Sequence, residues 1–125
     1  FYEILKNGHY TYKVPEDRYM DMLYRPDALQ AIIQQKEAEP DKLVHRNSFN
    51  ITSMSFTPNQ LFAEIKKHLP DATFDYNIDP IKDAISASWP NKLDDSCARK
   101  EWGWNPQWGI ENMVEDMLKV IKTKI

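Results

Sequence analysis

The run Thr57-Pro58-Asn59-Gln60 constrains this chain more tightly than any other. Thr at an N-cap, Pro in the first turn and Gln three residues after the Thr make a capping box, in which side chains satisfy backbone N–H groups that an opening helix leaves bare. Leu61, Phe62, Ile65 and Leu69 then share one face, and Pro70-Asp71 ends the run. A second stripe, Ile110, Met113, Val114, Met117, Leu118 and Ile121, falls at i, i+3, i+4, i+7, i+8 and i+11. Two amphipathic helices of this kind demand a packed core, and the chain has the length for one: 125 residues, 42% hydrophobic and 28% charged, a globular balance.

The remaining elements alternate in type. Phe1 to Lys6 reads as the last turns of a helix stopped by Asn7-Gly8, and with no capping residue before Phe1 the expectation is a helix that starts upstream. Tyr10 to Val14 is β-like, and Tyr19 to Tyr24 is a second extended segment. Pro26 opens a helix running to about Glu39, with Asp27 complementing its dipole and Ala28, Leu29, Ile32 and Ile33 as its apolar stripe. Asn47 to Thr52 reads as a strand, and Ala72, Phe74, Tyr76 and Ile78 alternate with polar residues as a half-buried strand does. Pro80 to Ser88 is a short helix broken by Pro90. Asp94 or Asp95 caps another that reaches Trp102 and stops at Gly103. Helices mixed with few, short strands predict a small α/β lobe that packs against something else.

Few residues offer chemistry. The sixteen Lys and Arg are scattered and the net charge is -3, so nucleic acid is not an expected partner. No apolar run approaches the roughly 20 residues of a membrane helix. His9, His45 and His68 lie far apart without metal-ligand spacing and read as surface or structural residues. Cys97, the single cysteine, reads as a buried structural thiol. Trp102 and Trp104 read as packing residues, whereas Trp89 sits in Ser-Trp-Pro at a helix break, where a side chain can project into a cleft. Gly8, Gly103 and Gly109 are the only glycines, and at that spacing they build neither a dinucleotide-binding turn nor a Walker loop.

Three stretches together resemble the C-terminal half of extended short-chain dehydrogenases and epimerases: Met22 to Ala31 with Asp27 at the acidic position, Phe49-Asn50-Ile51-Thr52 followed by Ser55-Phe56-Thr57, and Asp94 to Pro106. Within that superfamily Ser53-Met54-Ser55-Phe56-Thr57-Pro58, Ala87-Ser88-Trp89-Pro90 and Asp94 to Trp104 are most similar to the NAD-dependent L-threonine 3-dehydrogenases. UDP-sugar epimerases usually carry an Arg seven residues before the acidic position; Met20 stands there, with Arg18 two residues away. Met20-Asp21-Met22-Leu23 also replaces a more apolar, Pro-containing stretch of the dehydrogenases.

The resemblance implies that residues 1–125 are the substrate-side portion of an enzyme that oxidises L-threonine to 2-amino-3-ketobutyrate, with NAD and the catalytic residues held by an N-terminal portion outside this sequence. It implies Trp89 as a substrate contact, Asp27 as an anchor for its helix and the neighbouring loop, a homodimeric parent, and a mitochondrial matrix or cytoplasmic location. Tyr2-x-x-x-Lys6 formally matches the superfamily's catalytic Tyr and Lys, but reads as a coincidence on the outer face of a helix end. Two alternatives stay open: a portion of a UDP-sugar epimerase or reductase, and a non-catalytic α/β module that binds a protein partner.

Overall fold

The computed structural model describes all residues, Phe1–Ile125. Six helices and four strands follow the order α1 (Tyr2–Asn7), β1 (His9–Tyr12), β2 (Met20–Met22), α2 (Arg25–Glu37), a 3-10 turn (Pro40–Lys42), β3 (Met54–Phe56), α3 (Pro58–His68), β4 (Thr73–Tyr76), α4 (Pro80–Ala87), α5 (Ser96–Trp102) and α6 (Ile110–Lys122). β1 pairs in parallel with β4, from His9 opposite Thr73 to Tyr12 opposite Tyr76. β2 pairs antiparallel with β3, Met20 opposite Phe56 and Met22 opposite Met54. Each sheet has two strands, so every strand keeps one unpaired edge.

The capping box forms as its residues require. Thr57 Oγ1 accepts from Gln60 N at 3.2 Å and Gln60 Oε1 accepts from Thr57 N at 3.0 Å. It aims Phe62 and Ile65 of α3 at Met113, Val114 and Leu118 of α6, and Ile4, Tyr12, Phe56 and Ala72 complete that main core. Tyr12 stacks on Tyr76 with ring centroids 5.4 Å apart. Burial there, with the neighbouring Tyr76 and Tyr10 phenols, pushes the Tyr12 phenol above its ordinary value. α1 ends on Gly8 at φ 71°, the left-handed cap that glycine adopts without a Cβ clash.

A smaller core holds Ala31, Ala98 and Trp104, flanked by Leu23, Phe49, Ile51 and Trp102. It explains two departures from the sequence reading. Asn47–Thr52 is not a strand: β2 is three residues long and pairs with 54–56, so no strand lies beside it, and Phe49 and Ile51 serve as packing residues. The stripe expected to bury α2 faces outward instead, with Leu29 54%, Ile32 65% and Ile33 48% exposed. Asp27 and Ala31, one turn apart, point inward, because the Asp27 carboxylate is tied to the chain before α6 and Ala31 packs against Ala98 and Trp104.

Candidate functional site

The site is built where the antiparallel β2–β3 pair meets the segment joining α4 to α5. Trp104 Nε1 donates to the Thr52 carbonyl at 3.1 Å, which locks the chain entering β3 onto the smaller core. Ser53 then donates through both its backbone N, at 3.2 Å, and its Oγ, at 3.1 Å, to the Met22 carbonyl. Thr52 Oγ1 donates to Asp21 Oδ1 at 2.7 Å, fixing that carboxylate between the strands. Ser55 Oγ donates to the Asn91 carbonyl at 2.5 Å and pulls the post-α4 segment over the pair.

These bonds enclose an open cavity of about 580 Å³ whose polar lining includes Asp21, Thr52, Ser55, Lys92, Asp95 and Arg99. Asp95, at the N-cap of α5, and Arg99, one turn into that helix, are joined by a bond from Arg99 Nε to Asp95 Oδ1 at 2.8 Å. That hydrogen bond, with the attraction of the carboxylate, raises the Arg99 guanidinium above its ordinary value against the opposing pull of burial. The other Asp95 oxygen, Oδ2, is buried and has no hydrogen-bond partner within the chain. Asp94, next to it, caps α5 by accepting from Ser96 N at 2.9 Å. The Ser96 hydroxyl and then its backbone N–H hold the Asp94 carboxyl below the usual carboxylate range. Two carboxylates and two cations around one polar cavity suit a small zwitterion better than an apolar ligand.

Trp89 follows α4 directly, is 50% exposed, and stands two residues before Asn91, which lines the cavity; its own side chain is not part of that lining. Behind the indole, Ile81 and Ile85 continue an exposed apolar row along α4 at helical spacing. Asp27 is 2% exposed; its Oδ1 accepts from Gln107 N at 2.9 Å and its Oδ2 from Trp108 N at 3.1 Å, so it anchors α2 to the segment before α6. Tyr24, at the start of α2, donates to Asp116 Oδ2 at 2.6 Å. Burial first, and then that hydrogen bond and the Asp116 charge, push its phenol up to about 12.

Tyr2 and Lys6 occupy the outer face of α1, with the Lys6 Nζ 5.7 Å from the Tyr2 ring centre. Cys97 corrects the expectation of a buried thiol: it is exposed, because Ala98 next to it takes the position on α5 that faces the smaller core. The sequence reading passed over Asp21, Lys92 and Arg99. Only Arg99 carried a local signal, its i, i+4 spacing from Asp95; Asp21 and Thr52 meet across 31 residues, beyond any periodicity.

None of the glycines follows a strand and opens a helix through a glycine-rich turn. Gly8 and Gly103 end helices, and Gly109 begins α6 after an irregular segment.

No protein-family model matches the chain. It is 48% identical over 124 residues, 99% of its length, to an uncharacterized epimerase/dehydratase of Staphylococcus haemolyticus, and spans 39% of that protein. Its fold superposes on the L-threonine dehydrogenase of Clostridium difficile with a TM-score of 0.94 at 47% identity, over 98% of this chain and 39% of that one. On the L-threonine dehydrogenase of Phytophthora infestans the TM-score is 0.95 at 41% identity, over 100% of this chain and 40% of that one. The chain thus spans about two fifths of the length of the proteins it matches. Fold, sequence and the three motif stretches agree that this chain is similar, over nearly its whole length, to the C-terminal part of GalE-like epimerase and dehydrogenase structures.

Proposed function

We propose that residues 1–125 form the substrate-side lobe of an NAD-dependent L-threonine 3-dehydrogenase. The observation that carries this reading is the near-complete superposition, at 41–47% identity, on two L-threonine dehydrogenases. Support also comes from the balanced charge of the cavity, which complements an amino acid's ammonium and carboxylate. NAD and the proton-transferring residues belong, on this reading, to an N-terminal portion. Bound there, NAD would supply a hydride acceptor for oxidation of the threonine 3-hydroxyl. The residues of this lobe bind and orient the substrate and exclude water from it.

Trp89 is the proposed direct contact, stacking its indole over the methyl or backbone of threonine. The outward apolar faces of α2 (Leu29, Ile32, Ile33) and α4 (Ile81, Ile85) are the surfaces this lobe offers to the rest of the enzyme. The same fold class accommodates a UDP-sugar epimerase, and the matched staphylococcal protein carries an epimerase/dehydratase name. The full-length protein, incubated with NAD and L-threonine, is expected to generate NADH absorbance at 340 nm, on the order of 1–10³ turnovers per second. Silence with threonine, together with turnover of a UDP-sugar, overturns the threonine assignment.

A further inference from the structure

His45 and Cys97 are 52 residues apart in sequence, yet the fold brings them together over α5. The segment after the 3-10 turn crosses that helix and is clasped by Glu101, whose Oε2 accepts from Val44 N at 2.8 Å and from His45 N at 2.9 Å. Glu101 Oε1 meets His45 Nδ1 at 2.5 Å. Cys97 precedes Glu101 by one helical turn and so rises on the same side of α5. The imidazole nitrogen, the thiol sulfur and the carboxylate oxygen all lie within 4.8 Å of one another.

We propose that His45, Cys97 and Glu101 form a three-ligand site for Zn²⁺, with solvent as the fourth ligand. The donor chemistry selects the ion: sulfur and imidazole nitrogen suit zinc, whereas calcium and magnesium require oxygen sets. A thiolate, a carboxylate and a neutral imidazole carry two negative charges, matching a divalent cation; the thiol proton leaves to solvent on binding. Ligand atoms of such a set around tetrahedral zinc stand about 3.3–3.5 Å apart, given bonds of about 2.0 Å to nitrogen or oxygen and about 2.3 Å to sulfur. Rotamer adjustments on the order of 1 Å, the ring sliding off the carboxylate and the thiol turning in, reach that geometry.

The site is also prepared for an ion. The Glu101 side chain is 7% exposed and held by two backbone N–H groups, so one ligand is rigid before the metal arrives. The His45 side chain is 51% exposed and Cys97 is exposed, which leaves an open path for entry and room for water. Zinc here would cross-link the segment at 44–45 to the helix that carries Asp95 and Arg99, a structural role.

The test uses full-length protein, reduced and stripped of metal, titrated with Zn²⁺ and in parallel with Co²⁺. Wild type is expected to bind one equivalent more than Cys97→Ser or His45→Ala, with a dissociation constant below about 10 μM. Its Co²⁺ form is expected to show a thiolate-to-metal charge-transfer band that Cys97→Ser abolishes. Both substitutions leave the two backbone bonds to Glu101 Oε2 in place, so folding is preserved. Equal zinc stoichiometry and affinity in all three proteins, no zinc binding by wild type, or a charge-transfer band surviving in Cys97→Ser each overturn the site.

Discussion

Asp27→Ala isolates the strongest single tether in the lobe. The wild-type carboxylate is 2% exposed and accepts two backbone N–H groups, from Gln107 at 2.9 Å and Trp108 at 3.1 Å. Hydrogen bonds to a charged acceptor contribute about 1.5–3 kcal/mol each, and the alanine leaves both part-buried donors without their partner. The loss of its charge from the first turn of α2 adds about 0.5 kcal/mol through the helix dipole. Together these give a cost of about 4 kcal/mol. Amide hydrogen exchange reads this locally: protection of the Gln107 and Trp108 amides is expected to fall by about three orders of magnitude, at 1.4 kcal/mol per tenfold. Asp27→Asn keeps one acceptor oxygen but turns an NH₂ toward the second donor, and is expected to lose about half as much. A fall of less than about tenfold for Asp27→Ala, with both amides still protected, would refute the claim that this carboxylate holds α2 to the chain before α6.

Thr57→Ala removes the oxygen that caps Gln60 N and is expected to cost about 1 kcal/mol, read as a lower thermal midpoint; an unchanged midpoint discounts the box as a stabiliser of α3. Glu101 makes stability depend on pH with a definite sign. Its folded-state carboxyl lies below its unfolded value, so its contribution is complete above the ordinary carboxylate value of about 4.3 and is lost as pH falls through the lower, folded value. The stability difference between wild type and Glu101→Gln should therefore shrink on acidification from about pH 6 to about pH 3, and a constant difference contradicts the assignment. On the proposed threonine dehydrogenase reading, Trp89→Ala in the full-length protein is expected to raise the threonine KM about tenfold, equivalent to about 1.4 kcal/mol of lost contact, with a smaller effect on kcat. Unchanged KM and kcat remove Trp89 from substrate contact.

Local chemistry is the part of this molecule that its residues declare by themselves. The box at Thr57 to Gln60 opens α3 because all its partners lie within one turn, and Gly8 and Gly103 end α1 and α5 because only a residue without Cβ takes a left-handed backbone at no cost. The stripe from Ile110 to Ile121 placed Met113, Val114 and Leu118 in the core, since one amphipathic face has one way to leave water. The motif stretches carried the superfamily resemblance. Contacts between distant residues were decided only by the fold. The stripe on α2 pointed to the wrong face, because rotation of that helix is set by the bond from Asp27 to residues 80 positions away. Phe49 and Ile51 have strand-like side chains but no neighbouring strand, and Cys97 looked solitary until the chain at His45 crossed its helix. The polar cavity is likewise tertiary: Asp21 and Thr52 meet Asp95 and Arg99 only after two short strands pair and the smaller core has formed beneath them. Periodicity reports which face of an element is apolar; it carries no information on which distant carboxylate, ring or thiol that face will meet.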